Sequence, residues 1–213
     1  MLNFGTSAYL KLLSLNSKPR DTEIKKRLQP SDSRYDYYKE MRRIASNHAA
    51  NMSTWIETQA AIQAIKRPAE RRDAGEALKR FIKWLDGRSV TRISDIENIP
   101  SPSGLFQVKF QPNFELEIEG TPTRVHIWNT QNPKPRLREA IGVLGLFVQN
   151  GDAFRRAILS LRTGELFVAQ NAESVRQLAT LLALDIEKRI QRIQENESGD
   201  HSTDDRPSDT AIG

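Results

Sequence analysis

The chain has 213 residues, 38% hydrophobic and 28% charged, with no cysteine and a formal net charge of +5. That length and balance suit one sizeable globular domain or two small ones. The missing cysteines exclude disulfides, thiolate metal sites and a cysteine nucleophile. No run approaches 18 apolar residues and the N-terminus lacks a signal-peptide layout, so the expectations are no membrane partner and a cytoplasmic location.

The charge is unevenly spread. Residues 1–92 hold 19 Lys/Arg against 10 Asp/Glu, residues 93–194 hold 12 against 11, and residues 195–213 hold 1 against 6. The front part reads as a basic all-helical region. Thr6 and Ser7 can cap a short helix with Tyr9, Leu10, Leu12 and Leu13, and a second runs to Leu28 before Gln29-Pro30. From Tyr35 to His48, Tyr37, Met41, Ile44 and His48 share one stripe while Lys39, Arg42 and Arg43 lie elsewhere. Tyrosines among cations suit a nucleic-acid surface, because cations neutralise phosphate and rings stack on unpaired bases; the same spacing also suits a core stripe. Ser53 can cap the next helix, which carries Trp55, Thr58, Ile62 and Ile65 along one side and ends near Arg67. Pro68 suits the first turn of a helix carrying Ala74, Ala77, Leu78, Phe81 and Leu85, with Arg71, Arg72, Lys79, Arg80 and Lys83 outside and Asp86-Gly87 at its end.

Residues 93–104 lose periodicity and read as a linker. Residues 105–194 then follow a β-β-β-α-β-β-α order. Leu105–Phe110, Phe114–Glu119 and Arg124–Trp128 are three short runs with turn residues between them, which predicts a three-stranded antiparallel meander. A turn centred between Thr121 and Pro122 would set Glu119 opposite Arg124, Glu117 opposite His126 and Glu115 opposite Trp128. Phe114, Leu116, Ile118, Val125 and Ile127 would face a core. Glu117, Arg124, His126 and Trp128 on the other side form a candidate partner surface, or a charge-paired face with Trp128 packed under a loop or the last helix. A helix from Leu137 ends at Asn150-Gly151, and a hairpin turns at Thr163-Gly164. A long helix follows with Val175, Leu178, Leu182, Ile186, Ile190 and Ile193 in a stripe. Its last turns are expected on the front helices or on a second copy of the chain. Residues 195–213 read as an acidic disordered tail. The fold class is therefore α+β.

Phosphate loops, dinucleotide fingerprints, zinc-binding histidine pairs and nucleophile elbows are missing from the sequence. No cofactor is implied. The order helix, three strands, helix, strand over about residues 68–161 is similar to the core of the restriction-endonuclease-like nuclease superfamily. That resemblance implies a carboxylate on the second strand, which Glu115, Glu117 or Glu119 could supply, and a Glu-x-Lys pair on the third for a divalent metal. The third strand offers His126-Ile127-Trp128 instead and no lysine. Gln107-Val108-Lys109, with Asp95 upstream, matches a variant of the pair but lies on the first strand. The leading expectation is thus a non-enzymatic binding or adaptor protein. Lys39, Arg42, Arg43, Arg71, Arg72, Lys79 and Lys83 would engage nucleic acid or an acidic protein surface. A metal-dependent nuclease using Asp95, Gln107 and Lys109 is the alternative.

Overall fold

A computed structural model describes residues 1–29, 35–93, 95–130 and 132–199. Strand β1 (Leu2–Gly5) is followed by helices α1 (Thr6–Ser14), α2 (Ser17–Leu28), α3 (Lys39–Ala49), α4 (Trp55–Gln63) and α5 (Pro68–Leu85). Next come strands β2 (Val90–Thr91), β3 (Glu97–Pro100), β4 (Phe106–Phe110), β5 (Phe114–Ile118) and β6 (Thr121–Trp128). Helix α6 (Leu137–Gly145), strands β7 (Arg155–Ser160) and β8 (Leu166–Val168), and helix α7 (Glu173–Gly199) complete an α+β fold. No described helix is long and apolar enough to cross a membrane.

The strands form two sheets, one ordered β1-β4-β3 and the other β2-β5-β6-β7-β8. This corrects the expected meander. β5 and β6 pair antiparallel, but β4 belongs to the smaller sheet. The reason is that both edges of β4 are taken, one by β3 and the other by β1, which runs parallel to it with Gly5 opposite Lys109. The front part is accordingly helical apart from β1 and β2, and the expected linker carries β3. The tail expectation falls mostly on residues 200–213, outside the described residues, and α7 runs on to Gly199.

The β5–β6 turn also differs from expectation. Glu119 and Gly120 have φ of 51° and 74°, the two positive values of a two-residue hairpin turn of the primed kind. Glu115 therefore faces Arg124 and Glu117 faces Pro122. Relative to the expected turn, the strands slip by an even number of residues, so the side chains keep their expected sides. From β6 the chain crosses through α6 to β7, which runs parallel to β6, and β8 returns antiparallel.

The larger sheet separates two apolar cores. On one side Val125, Ile127, Ala157 and Leu159 meet Met41, Ile44, Ile62, Leu78 and Phe81 of α3, α4 and α5. On the other, Trp128 and Ile158 meet α1, α6, α7 and the smaller sheet, with Phe4, Tyr9 and Phe106 in mutual ring contact. The end of the α7 stripe is used within the chain: Ile186, Ile190 and Ile193 are buried, while Arg189 and Arg192 reach Asp21 of α2 at 2.9 and 2.7 Å.

Candidate anion-binding cleft

Where α1 begins, beside α3, β4 and the loops leaving β4 and β6, the layers leave a cleft of about 860 Å3. Long-range pairing builds it. The parallel β1–β4 ladder carries the start of α1 to Lys109, whose carbonyl accepts from Thr6 Oγ1 at 2.9 Å. Lys11, Arg27, Lys39, Arg42, Arg43, Arg92 and Lys109 line the cleft, and the only described carboxylate among its lining residues is Asp36.

The cations are not equally engaged. Lys11 meets Glu23 at 3.3 Å and Arg43 meets Glu40 at 2.9 Å. Arg27 reaches Glu23 at 3.7 Å and sits over the Phe4 ring at 5.1 Å. Arg42 is 8% exposed; burial lowers its pKa from the usual value and the ion pair with Asp36 opposes that. Lys39 and Lys109 are exposed, and their side chains have no ion-pair or hydrogen-bond partner among the described residues. Of the expected anion-binding residues, the cleft thus unites Lys39, Arg42 and Arg43, and adds Lys109 from the nuclease alternative.

Under this surface lies a hydrogen-bonded chain. Ser7 Oγ is 2.7 Å from His126 Nε2, and His126 Nδ1 is 2.8 Å from the Gln111 carbonyl. A carbonyl only accepts, so Nδ1 carries the proton and Nε2 accepts from the serine hydroxyl. A serine beside an oriented imidazole is an arrangement used for nucleophilic catalysis. Here burial first, and then the Arg42 charge, push the imidazole pKa down to about 3. Relative to an ordinary histidine, that makes proton uptake harder by roughly 5 kcal/mol, so the pair is a poor base. It serves instead to pin the first turn of α1 to β6.

Three tyrosines share the lining. Tyr37 donates its hydroxyl to Asp73 of α5 at 3.0 Å and stands edge-on to Tyr38, with ring centroids 4.9 Å apart. Burial and then the Asp73 hydrogen bond push the Tyr37 phenol up to about 12, so it stays neutral. Tyr35 donates to Glu70, which raises its phenol pKa, and Arg67 covers its ring at 3.8 Å.

The remaining expected residues lie elsewhere. Arg71, Arg72 and Lys79 border a separate hollow of about 380 Å3 between α4 and α5. Arg71 donates to the Ile65 carbonyl at 3.0 Å, Arg72 meets Asp73 at 3.6 Å and Lys79 meets Glu76 at 3.0 Å. Lys83 is exposed and lines neither hollow.

The residues of the expected partner surface, Glu117, Arg124, His126 and Trp128, lie in different environments. Glu117 is exposed, but His126 and Trp128 are 4% and 0% exposed because α1 and the smaller sheet cover that face of β6. Arg124 is held by Asp95 at 3.0 Å and Glu115 at 3.3 Å. Its guanidinium stacks on Phe154 at 3.6 Å, and Arg156 approaches the same ring at 4.6 Å. Arg156 in turn binds Glu97 at 2.6 Å and Asp152 at 2.7 Å, tying β3 to β7.

The nuclease trio does not assemble. Asp95 is bound to Arg124 and Gln107 donates to Asn3, leaving Lys109 alone in the cleft. Among the described residues no three His, Asp or Glu side chains are grouped to hold a metal ion.

No family model matches this chain, and no curated protein matches it. Among solved structures it is similar to the crystal structure of SSO0001, at 10% identity and a TM-score of 0.34, over 83% of this chain and 84% of that one. A likeness at that level indicates neither family nor activity.

Proposed function

We propose that the chain is a binding protein whose basic cleft holds nucleic acid by its phosphates. The carrying observation is the charge of the cleft: seven Lys and Arg side chains against one described carboxylate, with the Lys39 and Lys109 side chains unpartnered among the described residues. A phosphate backbone matches such a lining and gains further by releasing its own counterions. The tyrosines among the cations favour nucleic acid over an acidic protein surface, since rings stack on bases. No observation favours the metal-dependent nuclease, because Asp95 and Gln107 are engaged elsewhere.

The test is fluorescence anisotropy with a labelled mixed-sequence oligonucleotide at rising salt. Four phosphate contacts to a single strand give a log–log slope of about −3, which is roughly a 50-fold loss of affinity between 50 and 200 mM salt. Absence of binding at 50 mM, or affinity indifferent to salt, defeats the reading.

A further inference from the structure

We infer that the cleft takes a single strand rather than a duplex, with an unpaired base stacked on Tyr37 and the flanking phosphates on Lys39 and Lys109. This rests on the nucleic-acid reading above and adds to it the form of the ligand.

Two features carry the inference. The first is the ring. Tyr37 lines the cleft half-buried, and its hydroxyl bond to Asp73 together with the edge contact to Tyr38 fixes its orientation before any ligand arrives. A ring held in place stacks with little entropic cost, and only an unpaired base offers it a face. Because the phenol stays neutral, it adds no negative charge beside the phosphates. The second is the placement of the two lysines whose side chains have no partner among the described residues. Lys39 is two residues from Tyr37, while Lys109 comes from β4, so cations from two separate elements accompany the ring. A bare polyanion would use the lysines and leave the ring idle.

The experiment measures three probes against the full chain at one salt concentration: a labelled twelve-nucleotide single strand, the same strand annealed to its complement, and inorganic polyphosphate as competitor. Two variants accompany them. Tyr37→Leu removes the ring, and Tyr37→Phe keeps the ring while removing the hydroxyl bond to Asp73. The expected result is at least tenfold tighter binding of the strand than of the duplex. Tyr37→Leu should cost the strand roughly tenfold, the size of one lost base stack, while Tyr37→Phe retains most of the affinity and neither variant changes competition by polyphosphate.

Duplex binding as tight as strand binding overturns the inference and leaves the nucleic-acid reading standing. So does an equal loss of strand affinity in Tyr37→Phe and Tyr37→Leu, which would make the ring a strut between α3 and α5. If strand and duplex both fail to bind the unmodified chain, the underlying reading falls as well. Circular dichroism and urea unfolding of each variant show whether a lost signal is a lost fold.

Discussion

The cations of the cleft and those on the outer side of α5 carry the same charge but are held differently. On α5 three of them find a partner within a few residues along the chain: Lys79 with Glu76, Arg72 with Asp73, and Arg71 with the Ile65 carbonyl. Lys83 is exposed and has no side-chain partner among the described residues. Helix spacing brings opposite charges side by side, so such a surface neutralises itself in part and its exposed pairs contribute little to stability. The cleft draws Lys11, Arg27, Lys39 and Lys109 from α1, α2, α3 and β4. Some of these are paired, but Lys39 and Lys109 are brought into the same hollow with no acid among the described residues to meet them. What distinguishes the cleft is that cations from four separate elements line one hollow in which Asp36 is the only described carboxylate.

The largest expected effect separates the two regions at acid pH. His126, beneath the cleft, keeps its imidazole neutral in the folded chain down to about pH 3, whereas an unfolded chain takes up that proton below about 6.5. Between those values the unfolded state binds one proton more. Stability from this group is therefore complete above pH 6.5 and is lost as pH falls towards 3, by up to about 5 kcal/mol. Urea unfolding at pH 7, 6, 5 and 4 should show this slope, and His126→Gln should flatten it while lowering stability at pH 7. An unchanged slope in the variant would mean the acid sensitivity lies with the paired carboxylates instead.

A smaller effect bears directly on the charges. Reversing Lys39→Glu and Lys109→Glu together removes two phosphate contacts and adds two repulsions, and should weaken oligonucleotide binding on the order of 100-fold. Reversing Arg72→Glu and Lys79→Glu on α5 should change it by less than about threefold, because those positions border another hollow and salt screens their influence. Equal losses from both pairs would erase the distinction between the regions.

How far the sequence disclosed this follows the same division between near and far. Helix α5 begins at Pro68 and ends before Asp86-Gly87 as its punctuation predicts, and the β7–β8 hairpin turns at Gly164 with φ of 75°. The alternation in β5 and β6 places Phe114, Leu116, Val125 and Ile127 in the core as expected. These are local signals. The β5–β6 register escapes local signals because Thr121-Pro122 resembles a turn, whereas the turn itself places Glu119, a side chain that seldom adopts positive φ, at its first position. Strand β1 has four residues and pairs with β4 about a hundred positions away, which no periodicity reveals. Once that pairing forms, Trp128 and His126 are covered, Lys109 enters the cleft and Ser7 meets His126. Tyr37, Lys39, Arg42 and Arg43 were visible as aromatics among cations, but nothing in their spacing indicated that they would face α1.

The smallest effect tests whether the two regions are energetically separate. Thr54 caps α4: its hydroxyl accepts from the Glu57 backbone N–H at 3.2 Å, and the Glu57 carboxylate accepts from the Thr54 N–H at 2.8 Å. Thr54→Ala leaves orphan donors at the start of α4 and should cost about 1 kcal/mol in urea unfolding. Gln59, Ile62 and Gln63 of that helix wall the hollow beside α5, and none of α4 lines the cleft. Oligonucleotide affinity should therefore stay unchanged while stability falls. Were affinity to fall in step with stability, α4 and α5 would be transmitting strain to α3, and the cleft would have to be treated as one unit with the helical layer behind it.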